Sequence, residues 1–184
     1  MKPVFLIGYM GSGKTTMGRS LSLLMKKEFI DLALYIEARF RRSVKEIFAE
    51  RGENGFRVIE RNMLHEVAEF DDVIVACGGG TPCYFDNMDY MNSRGYTVLL
   101  NASHEALMRR LTIPSAKSKR PIIANKTNEE LSQFITDALE KRAGFYNQAV
   151  LHFDSSYLES VEQVATSTAS LSEKLIELSQ NTKE

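Results

Sequence analysis

Residues Gly8 to Thr15 read Gly-Tyr-Met-Gly-Ser-Gly-Lys-Thr and fill every fixed position of the phosphate-loop pattern G-x-x-x-x-G-K-[ST]. The flanks restrict the fold as much as the letters do. The apolar run Val4-Phe5-Leu6-Ile7 stands directly before the loop, and a helical stretch from Thr15 to Lys27 follows it. A strand is needed to aim such a loop, and a helix beginning near Lys14 is needed to bring its positive dipole end to the same point. Gly8, Gly11 and Gly13 let the backbone turn several N–H groups inward. Gly11, Ser12, Gly13, Lys14, Thr15 and Thr16 are therefore the expected nucleotide-binding residues. Lys14 would reach the β- and γ-phosphates and the Thr15 hydroxyl would ligate Mg²⁺. The feature predicts a nucleoside triphosphate site.

The rest of the chain alternates short β-rich runs with longer helical stretches, the pattern of a parallel α/β sheet. Strands are expected at Val4–Ile7, Phe29–Asp31, Val73–Ala76, Thr97–Leu100 and Leu151–Phe153. Ser43 with Glu46 forms a capping box for a short helix through Glu50, which Gly52 ends; a second helix runs from Asn54 or Gly55 to about Phe70. Ser103 caps a helix through Leu111, another spans Asn128 to about Tyr146, and Val161, Val164, Thr168, Leu171, Leu175 and Leu178 recur at the spacing of a closing amphipathic helix. Residues 112–127, with Pro114 and Pro121 and little apolar periodicity, read as a long loop of the kind that serves as a lid. Gln180 to Glu184 is a polar tail.

At 184 residues the chain suits one domain, 1–184, with 112–127 as a lid within it. A formal net charge of −1 gives no reason to expect a nucleic-acid partner, and the basic lid residues Lys117, Lys119 and Arg120 read as solvated. No apolar run approaches membrane-spanning length, and Met1-Lys2-Pro3 leads straight into the first strand. A cytoplasmic monomer with no membrane contact is the expectation. Cys77 and Cys83 read as two reduced thiols, and His65, His104 and His152 show no metal-ligand spacing.

Beyond the loop, four features bear on the chemistry. Asp31 closes the second strand, at the sheet edge where ligands of open α/β folds collect; a carboxylate there can support Mg²⁺, accept a proton or cap the strand end. Arg57 has Glu60 and Arg61 one turn away, which taken alone reads as a solvated ion-pair face. Gly78-Gly79-Gly80 follows the third strand and permits close approach of a ligand or another segment. Arg120 in the expected lid suits charge spread over a transferring phosphoryl group, and Arg142 suits a carboxylate held by a two-pronged fork.

In order and spacing these features resemble the shikimate kinases from Val4 to about Phe153. The resemblance includes Phe29-Ile-Asp, Ser43-Val-Lys-Glu-Ile-Phe, Gly55-Phe-Arg-Val-Ile-Glu60, Gly78-Gly-Gly80, Arg120-Pro121 and Lys141-Arg142-Ala-Gly-Phe-Tyr146. It implies a three-layer α/β/α P-loop fold with a five-stranded parallel sheet of order 2-3-1-4-5. It also implies transfer of the ATP γ-phosphoryl to the 3-hydroxyl of shikimate, with Mg²⁺ as cofactor. On that resemblance Lys14, Asp31 and Arg120 are catalytic, and Thr15 and Asp31 serve the metal. Asp31, residue 33, Arg57, Gly79, Gly80 and Arg142 form the shikimate site, and Arg109 or Arg110 lies near the adenine.

The chain departs from the family pattern at Ala33, where shikimate kinases typically carry a second aspartate that accepts a hydrogen bond from the substrate hydroxyls. Ala76, where the family often has serine, is a milder difference. Loss of a charge-assisted hydrogen bond costs about 1.5–3 kcal/mol, and loss of a general base about 10²–10⁴-fold in rate. A shikimate site weakened by Ala33 is the expectation. Kinase action on another carboxylated polyol such as gluconate, and nucleotide binding without turnover, are the alternatives.

Overall fold

A computed structural model describes residues 1–118 and 120–181, so Lys119 and the last three residues of the polar tail lie outside the described residues. Short apolar runs separated by longer amphipathic ones can build a parallel sheet only if each interval crosses back over a face. The chain does this four times. The elements are β1 (Val4–Ile7), α1 (Lys14–Met25), β2 (Glu28–Asp31), α2 (Leu32–Phe40), α3 (Val44–Val67), β3 (Val73–Ala76), α4 (Asn87–Arg94), β4 (Tyr96–Asn101), α5 (His104–Leu111), α6 (Pro114–Ser118), α7 (Pro121–Ala124), α8 (Asn128–Tyr146), β5 (Leu151–Asp154) and α9 (Val161–Asn181). The strands form one parallel sheet in the order β2-β3-β1-β4-β5.

Side-chain alternation along β1 divides the core into two layers. Val4 and Leu6 join Met17 and Leu21 of α1 with Leu171 and Leu175 of α9. Phe5 and Ile7 face the opposite layer, which includes Leu32 and Ile36 of α2, Leu64 of α3, Leu107 of α5 and Ile135 of α8. The three-layer arrangement follows directly. Register then fixes where the site lies: Leu6 stands beside Ala76 of β3 and Val98 of β4, and Asp31 stands beside Ala76. The turns after β1, β2 and β3 therefore emerge at one sheet edge.

One stretch bears out the sequence expectation and one differs from it. Helix α3 is two helical stretches that meet at Gly52, as the sequence predicts, because φ 66° and ψ −178° there are not helical. Glycine accommodates that break, and the second stretch ends at Val67. Residues 112–127 are not an irregular loop but two short helices. Pro114 and Pro121 open them, because a proline at the first helical position gives up an N–H that needs no partner there. Ile123 is fully buried with Leu131 and Ile135, so the segment is anchored at its distal end.

Both α3 and α8 begin with a reciprocal capping box. Ser43 pairs with Glu46, as the sequence predicts, and Thr127 pairs with Glu130. Ser43→Ala removes the acceptor for the Glu46 N–H, and the expected outcome in urea unfolding is a loss of about 1 kcal/mol.

Candidate active site

The phosphate loop is built as its sequence predicts. Gly8 has φ 140°, and a Cβ there would lie 2.6 Å from the Leu100 carbonyl oxygen, so no other residue fits. The Ser12 N–H donates to the Tyr9 carbonyl at 3.1 Å and closes the turn. Lys14 Nζ donates to the carbonyls of Gly8 and Tyr9, each at 2.8 Å. Desolvation lowers the Lys14 pKa from 10.5 to about 8, with smaller electrostatic effects from Cys77 and Asp31 acting the other way. The Ser12 side chain is buried, and its hydroxyl has no hydrogen-bond partner among the described residues.

Asp31 makes two kinds of contact. Its Oδ1 caps α2 by accepting from the N–H groups of Ala33 and Leu34, at 3.2 and 3.5 Å. Its Oδ2 accepts from the Thr15 hydroxyl at 3.2 Å. This pairing of a hydroxyl with a carboxylate at the head of α1 fits Mg²⁺, which takes oxygen donors, usually keeps several waters and needs only one or two carboxylates beside the phosphates. Ala33, in the first turn of α2, turns a methyl group toward the same cavity.

That cavity measures about 900 Å³ and contains most of the expected nucleotide residues. Gly11, Gly13, Lys14, Thr15 and Thr16 line one side, with Asp31, Ala33, Gly78 and Gly79 on another, and Arg110, Arg120, Leu158 and Glu159 complete it. Arg120 donates to the Ala116 carbonyl at 2.6 Å, within the α6–α7 segment. Arg110, the inner member of the expected arginine pair, donates to the carbonyls of Gly11 and Ser155 at 3.0 and 2.9 Å and pairs with Glu159. Arg109 also meets Glu159 but stands more than half exposed outside the lining. Only Arg110 belongs to the cavity wall.

Arg57, Gly80 and Arg142 are not part of that lining; they pack around the glycine turn at its wall. A Cβ on Gly80 would fall 2.7 Å from Arg57 Nη2, and one on Gly79 would fall 3.2 Å from Arg142 Nη1. Two guanidinium groups thus abut consecutive glycines. Arg142 Nη1 donates to the Gly79 carbonyl at 3.2 Å, and the Tyr146 hydroxyl donates to the same oxygen at 2.7 Å. Burial pushes the Tyr146 phenol up to about 12, against the pull of Arg142.

The solvated ion-pair face expected at Arg57, Glu60 and Arg61 is corrected by burial. Arg57 is 13% exposed and Glu60 4%, joined at 2.8 Å, with the Arg57 guanidinium 4.1 Å from the Tyr84 ring centroid. Glu60 Oε1 also accepts from the Thr81 hydroxyl at 2.7 Å, which ties it to the glycine turn. Arg61 reaches across to Asp86 instead. Thr81 and Tyr84 were not singled out by sequence, and Glu60 and Tyr146 were not read as site residues; only the fold reveals that all four converge on this turn.

A parallel sheet, a phosphate loop at the carboxyl edge and arginines around one cleft define a P-loop phosphotransferase. The shikimate kinase family profile matches residues 10–172. Shikimate kinase from Phocaeicola vulgatus is 53% identical over 175 residues, 95% of this chain and 99% of that protein. The crystal structure of shikimate kinase from Bacteroides thetaiotaomicron superposes with a TM-score of 0.90 at 52% identity, covering 95% of this chain and 98% of the other. A structure of shikimate kinase from Acinetobacter baumannii in complex with shikimate gives 0.78 at 28% identity, covering all of this chain and 95% of the other. The chain belongs to the shikimate kinase family, an ATP-dependent kinase family.

Two outcomes follow from this geometry. Phosphates approaching Lys14 add negative charge beside an ammonium whose pKa has been lowered to about 8. Its pKa must rise, so ATP binding at pH 8 and above takes up protons. Calorimetry in two buffers of different ionisation enthalpy measures that uptake, and Lys14→Met removes it. Glu60→Ala leaves the buried Arg57 guanidinium without its closest partner, and the expected loss of stability in urea is about 3 kcal/mol.

Proposed function

We propose that this chain transfers the γ-phosphoryl group of ATP to the 3-hydroxyl of shikimate, giving shikimate 3-phosphate and ADP. The observation that carries the reading is the placement of Arg57 and Arg142 against Gly80 and Gly79, at the wall of the cleft that holds the phosphate loop. An alcohol bearing a carboxylate, gripped there by two guanidinium forks, would present its hydroxyl toward Lys14. The absence of side chains at Gly79 and Gly80 leaves room for that approach. Glu53, the exposed partner of Arg57 Nη2 at 3.3 Å, is the contact that an incoming carboxylate would displace.

In this reading Lys14 and Arg120 stabilise charge on the transferring group, the main chain of Gly11 to Thr16 holds the phosphates, and Arg110 borders the adenine. Thr15 and Asp31 would hold Mg²⁺, which when bound would neutralise charge on the phosphate oxygens. As the new bond forms between the acceptor oxygen and the γ-phosphorus, the bond to the ADP oxygen breaks and the hydroxyl proton passes to solvent water. Ala33 can neither accept that proton nor orient the hydroxyl. Asp31 already accepts from Thr15 and two N–H groups, which limits it as a substitute. Phosphoryl transfer depends mainly on positioning and charge stabilisation, so turnover survives at a reduced rate. Residues 1–184 act as one kinase domain, with 112–127 as the lid that carries Arg120.

A steady-state assay with ATP, Mg²⁺ and shikimate, on this chain and on Ala33→Asp, tests the reading. ADP release should depend on shikimate and not on gluconate, and Ala33→Asp should raise kcat at least about tenfold. Absence of shikimate-dependent ADP release from both proteins would overturn it.

A further inference from the structure

The phosphate-loop pattern leaves the position after its first glycine open, and phosphate chemistry makes no use of an aromatic ring there. Here that position is Tyr9, which is 2% exposed and packs within the core layer that holds Ile7, Leu99 and Leu107. The Arg142 guanidinium lies over its ring, 5.3 Å from the centroid. We propose that Tyr9 is a positioning residue that joins the phosphate loop to Arg142, so that nucleotide at the loop is felt at the acceptor side of the cleft. The assignment of an acceptor side rests on the function proposed above; the contact between Tyr9 and Arg142 does not.

Three contacts close the circuit. Arg142 donates to the Gly79 carbonyl at 3.2 Å. A Cβ on Gly79 would lie 3.4 Å from the Gly8 carbonyl oxygen and 3.6 Å from the Met10 nitrogen, so the loop backbone and the glycine turn are packed together on both sides of Tyr9. The Tyr9 carbonyl, in turn, accepts from Lys14 Nζ at 2.8 Å. Lys14 is the group that bound phosphates draw toward themselves, and that demand competes with its bond to Tyr9. A residue tethered to Lys14 by its backbone and to Arg142 by its ring is therefore displaced or released when the phosphates arrive. Among the described residues the Tyr9 hydroxyl has no hydrogen-bond partner, so the ring face carries the contact. Packing this dense transmits a shift rather than absorbing it.

The experiment follows the Arg142 Nε–Hε resonance by NMR in arginine-labelled protein, assigned with Arg142→Lys, as a non-hydrolysable ATP analogue with Mg²⁺ is added. The signal should move in the unmodified chain and in Tyr9→Phe, and stay in place in Tyr9→Leu. No movement in the unmodified chain overturns the proposal without recourse to any variant. Equal movement in all three, or loss of the response in Tyr9→Phe, overturns it as well. In turnover, Tyr9→Leu should raise the shikimate KM by roughly three- to tenfold with kcat little changed, and Tyr9→Phe should restore it. If shikimate fails to bind the unmodified chain, the proposed acceptor is wrong, and the NMR result still decides the role of Tyr9.

Discussion

The hydrogen bond from the Cys77 N–H to the Leu6 carbonyl, at 3.0 Å, is the contact on which the site depends. It extends the parallel pairing of β1 and β3 one residue beyond the strand, so the phosphate loop and the glycine turn leave the sheet side by side. Asp31 is brought to the same edge by its pairing with Ala76. A slip of one residue in either pair would reverse the faces of the strand and separate the loop from the turn. The buried alternation of Val4, Phe5, Leu6 and Ile7 prevents that slip, since each side chain is committed to one of two cores. Hydrophobic patterning thus sets the distance between the phosphate loop, the glycine turn and Asp31.

Around that edge the structure keeps charge out of water at a cost it offsets locally. Arg57 and Glu60 are both largely buried, and desolvation of an ion pair can exceed its Coulombic gain unless further hydrogen bonds satisfy it. Thr81 supplies one of those bonds, and Tyr84 lies under the guanidinium. The pair holds one fork in place beside Gly80, while Tyr146 and Tyr9 brace the other beside Gly79. Both arginines are held in place by neighbouring groups, which on the proposed function would reduce the entropy lost when an acceptor is held.

Much of the fold was legible because its signals are local. The phosphate loop, the five strands and the Ser43 capping box are each specified within a few residues, and the structure reproduces them. Residues 112–127 were misread as irregular because proline ends a helix from within and opens one from its first turn, and sequence alone does not say which applies. Gly52 was legible as a break, because its positive φ is a conformation that glycine adopts at little cost. At the site, Glu60 looked like one half of an exposed pair because its burial depends on Thr81 and the glycine turn, which are distant in sequence and adjacent only once β3 is in the sheet. Tyr9 fell in a position that the loop pattern leaves blank.

By itself the sequence determined the phosphate loop and the alternation that builds a three-layer sheet, because hydrogen-bonding capacity, backbone freedom and side-chain period belong to residues and their neighbours. It also determined that position 33 offers a methyl group and no carboxylate. The tertiary structure decided which arginines face the cleft and which stand beside it, separating Arg110 from Arg109 and burying Arg57 against Glu60. Those outcomes depend on contacts between segments tens of residues apart, whose geometry exists only after the strands have paired.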